Sequence, residues 1–525
     1  MEEKRDGLGV TSARLLSSLY AGQGLGILVT AATFIFVTRL LGASGYGIYT
    51  FAFGFSALVD CIGNFGMGNY FGRNLARFSY KKNHSKVVET LLTGYAILLP
   101  ITLALTLVGV AASPYVANVL FRQLGIAPVT LMLASAIIFF STTESTTVQA
   151  LIGFTRGKLA SLVSVVVDII QLAASVYLIT AGYGVDGAIA GMLIGYVFGA
   201  IMGLYLIYRI VKASGAVKIK IPSMQEIRAA LDFVVPMSLN NILNFSMVNF
   251  TTLYLSLYVT KAMLGNYGAA LRGQTFIAVF YSTMSTALLP LFSTAGASKK
   301  ASEENTVYNR LLLYSLMITL PLIVFVGVLA RPGAALLLTN EYASTGIFLT
   351  LIAFGTLIDT FQYYIVSLLI SKGITRQLVK SLLVSTALQL GTVLLLVPRF
   401  GAYGAILGIF FVGPIAEGIL FAMLARKAIN FRPDTRRLAL LAASNVILIL
   451  PLSIALLFAS PLVSIAAGAL ILLVAYPAIM VLVGAIDISD LKIMERITGK
   501  VPLLSRPIGL LMRYVGFLFS FKGYQ

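Results

Sequence analysis

"VTRLLGASGYG" occupies Val37 to Gly47, and "VTKAMLGNYG" occupies Val259 to Gly268, about 222 residues further on. Each copy closes an apolar run with Val-Thr and a cation, then turns at a Tyr-Gly. Two further pairs keep nearly the same offset. "GFTR" (Gly153 to Arg156) returns as "GITR" (Gly373 to Arg376), and "GVDGAIAG" (Gly184 to Gly191) returns as "GAYGAILG" (Gly401 to Gly408). Three ordered matches at equivalent loops mark a duplicated unit.

Composition says what has been duplicated. Of 525 residues, 58% are hydrophobic and 11% charged, too little polar surface for a water-soluble globule. Apolar runs of about 20 residues recur along the chain, the length a helix needs to cross a bilayer. The runs are continuously apolar rather than alternating, which favours helices over a barrel. Fourteen spans are predicted, the first near 15–38 and the last near 461–485: six per copy and two appended. Six is even, so both copies enter the membrane from the same side. Parallel halves of this kind enclose a central cavity. The expected fold is therefore an all-α polytopic membrane protein with two six-helix lobes, 1–215 and 216–430, followed by two extra helices within 431–490 and an interfacial tail at 491–525. The first apolar run reaches Val37, longer than a signal peptide's, and is expected to be an uncleaved span.

Charge sets the orientation. With the N-terminus placed in the cytoplasm, all of the 38 Lys and Arg residues fall on that side except Arg39, Arg122, Lys261, Arg272, Arg331 and Arg399. Both termini are thus expected in the cytoplasm of a cell-membrane protein. The net charge of +19 is spread over loops facing anionic headgroups, and does not signal nucleic acid. One cysteine, Cys61, and one histidine, His84, exclude a disulfide, a Cys/His metal cluster and a Ser-His-Asp arrangement within the membrane. There is no Gly-rich loop ending Gly-Lys-Ser/Thr, so no ATP-driven engine is built in. No cofactor, metal or catalytic residue is expected, and the chain does not read as an enzyme.

"TRLLGASGYGIYTFA" after the first span, "GNYFGRNLAR" closing the second and "RFGAYGAILG" before the twelfth resemble the polysaccharide-exporter, O-antigen flippase-like family of the multidrug/oligosaccharidyl-lipid/polysaccharide exporter superfamily. The resemblance covers spans one to twelve. It implies two six-helix lobes around a V-shaped, alternately opened cavity. It also implies translocation of lipid-linked oligosaccharides, on a polyprenyl phosphate or pyrophosphate, to the outer leaflet. Membrane lipids, a coupling H⁺ or Na⁺ and glycan-polymerising or transferring enzymes are the partners such a role implies.

A cargo of this kind needs hydroxyl and amide groups for sugars and cations for phosphate. Arg272, about two turns inside span eight, is the leading phosphate candidate, with a structural ion pair as the alternative. Arg39 and Lys261 are repeat mates at outer span ends, where snorkelling to the interface also explains them. Asn240, Asn241 and Asn244 in "PMSLNNILNFSMVNF" lie at helical spacing beyond Pro236, suited to sugars or to knitting helices together. Glu144, in "STTESTTVQ", and Asp359 with Gln362, three apart on one face, are candidates for cargo or coupling. Asp60, Asp168 and Glu417 complete the acids within spans, each costly if charged and facing lipid. The rival readings are a drug or cation antiporter of the same superfamily, a membrane glycosyltransferase or ligase, and a peptidoglycan-precursor flippase with a more arginine-rich cavity.

Overall fold

Gly42 folds the opening stretch back on itself. Its backbone (φ 65°, ψ 175°) interrupts the helix Glu2–Gly63, in the left-handed half of conformational space that glycine reaches without a Cβ clash. Phe34 and Tyr46 then meet edge to face with ring centroids 6.1 Å apart. Twelve residues of unbroken helix would have separated them by about 18 Å.

The computed structural model describes residues 2–63, 66–81, 83–213, 222–295, 301–429, 431–458, 460–487, 490 and 514–518, with side chains described except at 2–23, 236–245, 280, 283–295, 301–304, 371, 375, 428 and 429. Among the described residues every regular element is helical. They are α1 (Glu2–Gly63), α2 (Met67–Tyr80), α3 (His84–Tyr115), α4 (Pro128–Gly153), α5 (Gly157–Leu178), α6 (Gly184–Ala213), α7 (Met224–Leu255), α8 (Lys261–Ala295), α9 (Ala301–Val328), α10 (Ala330–Leu337), α11 (Ala343–Ser371), α12 (Thr375–Phe400), α13 (Ala402–Leu407), α14 (Gly413–Ile429), α15 (Thr435–Ile454) and α16 (Pro461–Val483).

Ten helical stretches among the described residues are long and apolar enough to cross a bilayer. Two of them are double. Gly24–Gly63 breaks at Gly42, and Gly157–Ala213 breaks at Gly182 and Gly184, both at positive φ. The 32-residue α7 and 35-residue α8 bring the total to the fourteen spans that hydropathy predicts. The duplication is visible in the backbone too. Gly184 and Gly401, mates in the repeat, turn at φ 50° and 54°. Where α4 and α11 end, both copies close with the paired bonds of a Schellman turn. These are Thr155 N to Ile152 O (2.8 Å) with Arg156 N to Leu151 O (2.9 Å), and Gly373 N to Ile370 O (2.9 Å) with Ile374 N to Leu369 O (3.1 Å).

The chain divides into two compact units, residues 1–269 with 393–405 and residues 270–392 with 406–525. In the first unit the two quoted stretches pack directly on each other. A Cβ on Gly47 would run into the Lys261 carbonyl, and one on Gly265 into the Ala43 carbonyl, 3.0 Å from the Gly47 nitrogen. The two copies of the motif are each other's packing surface. Beyond them, α2 buries Met67, Phe71 and Leu75 against α3 and α4. Along α6 the glycines 191, 195, 199 and 203 present a stripe with no side chains, lying against Ser175, Gln171, Val167 and Thr147. Such stripes let transmembrane backbones approach closely.

In the second unit α9, α11, α14, α15 and α16 share one apolar core that includes Leu312, Leu316, Tyr364, Leu368, Phe421, Leu448 and Met480. The appended helices are tied in by polar groups. Tyr476 donates to the Met317 carbonyl at 3.1 Å. Arg437 bridges Asp434, Asp487 and Asp490, and Tyr314 of α9 donates to Asp490 at 2.7 Å.

Candidate functional site

Each unit carries its own cluster of polar side chains inside apolar helices. In the first, α4 runs through Thr142, Thr143, Glu144, Ser145, Thr146 and Thr147. Thr142, Thr143, Thr146 and Thr147 each return a hydroxyl to the carbonyl four residues earlier, all at 2.6 Å, which satisfies these buried hydroxyls within their own helix. Thr142 also donates to the Asp60 carboxylate of α1, and the Tyr95 hydroxyl of α3 lies 2.9 Å from that of Thr147. The α6 stripe makes room for Glu144: the Cβ position of Gly199 lies 2.8 Å from its Cγ. Glu144 is 8% exposed, and none of the described residues hydrogen-bonds its carboxyl. Asp168, on α5, is near enough for its charge to act on Glu144, and its Oδ2 sits 3.1 Å from the Cβ position of Gly26.

The second cluster joins α8, α11, α12 and α14. Gln362 donates to Asp359 at 2.5 Å, on the shared helix face that their spacing predicts. Gln362 is 2% exposed, and its Oε1 is buried without a hydrogen-bond partner among the described residues. The rings of Tyr281 and Tyr363 pack 4.9 Å apart, and Gln274 donates to the Tyr281 hydroxyl at 3.3 Å. Ser385 donates to Glu417 at 3.2 Å. Asp359 acts electrostatically on Tyr281, Tyr363 and Glu417, which gathers both acids into one neighbourhood.

The cations are more scattered. Arg272 is partly buried on α8, two residues before Gln274. Arg39 is exposed on the first arm of α1, three residues before the break at Gly42. Lys261 instead opens α8, behind Thr260, whose hydroxyl accepts from the Met263 nitrogen at 3.3 Å. Its Nζ reaches the loop between α3 and α4, 3.4 Å from the Cβ position of Gly125. The repeat mates thus occupy different local positions: Arg39 lies in the last turn before the break at Gly42, and Lys261 in the first turn of α8. The side chains of Asn240, Asn241 and Asn244, and of Pro236, lie outside the described residues.

Reading residues one at a time misses the Thr142–Asp60 and Tyr95–Thr147 pairs. For Glu144 and Thr147 a signal exists in the four-residue glycine spacing of α6, which marks the face α4 and α5 must approach.

No curated protein matches the chain. Solved structures match its fold. The lipid II flippase MurJ, in an inward closed conformation, superposes with a TM-score of 0.69 at 14% identity, covering 88% of this chain and 98% of MurJ. An inward-facing multidrug resistance MATE family transporter of the MOP superfamily gives 0.60 at 17% identity, over 77% of this chain and 94% of its own. A MOP superfamily transporter from Pyrococcus furiosus gives 0.56 at 20% identity, over 80% and 95%. At these identities the likeness is one of fold, and it agrees with the duplicated fourteen-span architecture. The family model for polysaccharide biosynthesis proteins matches residues 36–346, more than half of the sequence, and the chain belongs to that family.

Proposed function

We propose that this protein is a flippase that carries a lipid-linked oligosaccharide, on a polyprenyl phosphate or pyrophosphate, from the cytoplasmic to the outer leaflet of the cell membrane. It works by alternating access between lobes 1–215 and 216–430, with both termini in the cytoplasm. Membership in a polysaccharide biosynthesis family supports a glycan pathway. The fold shared with a lipid II flippase supports a lipid-borne cargo. The observation that carries the reading is Glu144, a carboxyl 8% exposed among apolar helices that no described residue hydrogen-bonds, about 13 Å from the helix end at Gly153. The threonine hydroxyls around it donate within their own helix, so this carboxyl is the acceptor the first cluster offers a sugar hydroxyl where lipid offers none. Arg272 is the proposed phosphate contact; Asn240, Asn241 and Asn244 are proposed to meet sugars.

Cells lacking the protein are expected to accumulate a lipid-bound glycan in the inner leaflet, and proteoliposomes containing it to expose that glycan to an external lectin. A normal leaflet distribution in the deletion strain removes the proposal. A second reading, a cation antiporter of the same superfamily, draws on the acids Asp60, Glu144 and Asp168 in one unit and Asp359 and Glu417 in the other. It predicts H⁺- or Na⁺-driven efflux of organic cations from the same proteoliposomes, with no lectin signal.

A further inference from the structure

We propose that Arg73 and Arg77 form a receiving site for the phosphate or pyrophosphate of a prenyl-linked cargo, at the end of the first unit that the charge pattern assigns to the cytoplasm. This rests on the lipid-linked reading above and extends it to the group that first meets the anion.

The site is built by α2. Gly66 starts this helix in the left-handed conformation (φ 67°, ψ 17°), and Met67, Phe71 and Leu75 are wholly buried. Arg73 and Arg77 consequently stand on the other, exposed face. They are four residues apart, which brings their Cβ atoms within about 6 Å on one side of a helix. That is a span two guanidinium forks can bridge to hold one diphosphate. Both guanidiniums are braced on aromatic rings. Arg73 Cζ lies 5.1 Å from the centroid of Phe233 on α7, and Arg77 Cζ lies 5.9 Å from that of Phe78. Tyr70 supports Phe233 from beside, at 6.2 Å. A guanidinium resting on a ring keeps its donor edge free for a planar, bidentate partner.

Neither arginine has a carboxylate partner among the described residues. Two acids that act on the adjacent Tyr70, Glu89 and Glu226, are committed elsewhere. Glu89 is paired with Lys86 Nζ at 2.5 Å, and Glu226 accepts from the Ser223 nitrogen at 2.7 Å in the capping box that starts α7. The pair therefore keeps its charge for a ligand.

The test uses the full chain in nanodiscs of phosphatidylcholine, with farnesyl diphosphate as probe and farnesol and inorganic pyrophosphate as controls. The unsubstituted protein is expected to bind farnesyl diphosphate and to ignore farnesol. Arg73→Gln/Arg77→Gln is expected to weaken binding at least about tenfold, the loss of one or two charge-assisted contacts. Phe233→Leu, which leaves both charges, is expected to weaken it about two- to threefold. Should the double glutamine variant not fold, Arg73→Lys/Arg77→Lys keeps the charge but loses the fork, and is expected to weaken binding at least about threefold. Undiminished binding in these arginine variants overturns the inference and leaves the flippase reading standing. Failure of the unsubstituted protein to bind the probe overturns both. If phosphatidylglycerol in the nanodisc displaces the probe at equal mole fraction, the arginines are headgroup contacts, and the inference falls.

Discussion

Glu144 and Gln362 stand at the same place in the two copies. Each lies seven residues before the leucine whose carbonyl closes the Schellman turn, Leu151 in the first copy and Leu369 in the second. In the first copy that position holds a carboxyl which no described residue hydrogen-bonds. In the second it holds an amide that donates to Asp359, one turn earlier on the helix, and keeps a buried, unpartnered oxygen. The backbones have stayed alike while the charge has moved by a turn. Equal halves need not do equal work: the first cluster has an acid free to change partners, and the second has its acids engaged by Gln362 and Ser385.

Exchanging the two residues tests that asymmetry most severely. Glu144→Gln makes the first copy resemble the second while preserving shape, and is expected to cut the flipping rate in proteoliposomes at least about tenfold, the effect of about 1.4 kcal/mol or more. Rates within twofold of the unsubstituted protein would put the work elsewhere. Gln362→Glu removes a donor from Asp359 and sets a second acid beside it. Stability is expected to fall by about 2–3 kcal/mol, as when a buried charged group loses its hydrogen-bond partner. Thermal unfolding read through the exposure of the single, half-buried Cys61 thiol would measure it.

The glycines separate the copies next. On α6 they recur every fourth residue and carry the close contacts with α5 and α4, whereas in the second copy the spacing from Gly408 stretches to five, at Gly413 and Gly418. The extra residue is absorbed by the wider helical turn Gly408–Val412. A Cβ on Gly199 meets Val167 and Glu144, so Gly199→Ala is expected to cost about 1–3 kcal/mol by overpacking. Nothing lies within 4 Å of the Cβ position of Gly418. There the same change is expected to be neutral, or to gain up to about 1 kcal/mol from helix propensity. Equal costs at the two sites, measured in the same thiol-exposure assay, would show that the stripe on α6 has no special packing role.

The parts of this molecule legible in its sequence are those set by near neighbours in the chain. Hydropathy along single helices gives the fourteen spans, and a three-residue spacing puts Asp359 and Gln362 on one face. Matching glycines locate the turns at Gly184 and Gly401. Contacts between helices are another matter. Asp60 and Thr142 are 82 residues apart and Tyr95 and Thr147 are 52 apart, and no local pattern announces either pair. The repeat leaves one detail open. Aligning Val-Thr-Arg with Val-Thr-Lys pairs Arg39 with Lys261, but the first helix lasts until Gly42, so Arg39 ends a helix, while Lys261 starts one behind Thr260.

The smallest expected effect is the cleanest comparison of the two copies, because it leaves side-chain packing almost untouched. Both Schellman turns need one residue in the left-handed region. The second copy uses Gly373 (φ 74°), and the first uses Thr155 (φ 57°), the only non-glycine residue at positive φ among those described. A β-branched side chain there crowds the backbone and costs about 1–2 kcal/mol. The Thr155 hydroxyl recovers a little through its 2.6 Å bond to the Phe154 carbonyl, and glycine would add conformational entropy to the unfolded chain. Thr155→Gly is therefore expected to stabilise by about 0.5–1 kcal/mol, and Gly373→Thr to destabilise by about 1–2 kcal/mol. Gains and losses of the same sign at both turns would mean that the two backbones are less alike than their hydrogen bonds indicate. Opposite signs would show that the first copy keeps a strained turn directly below the helix that carries Glu144.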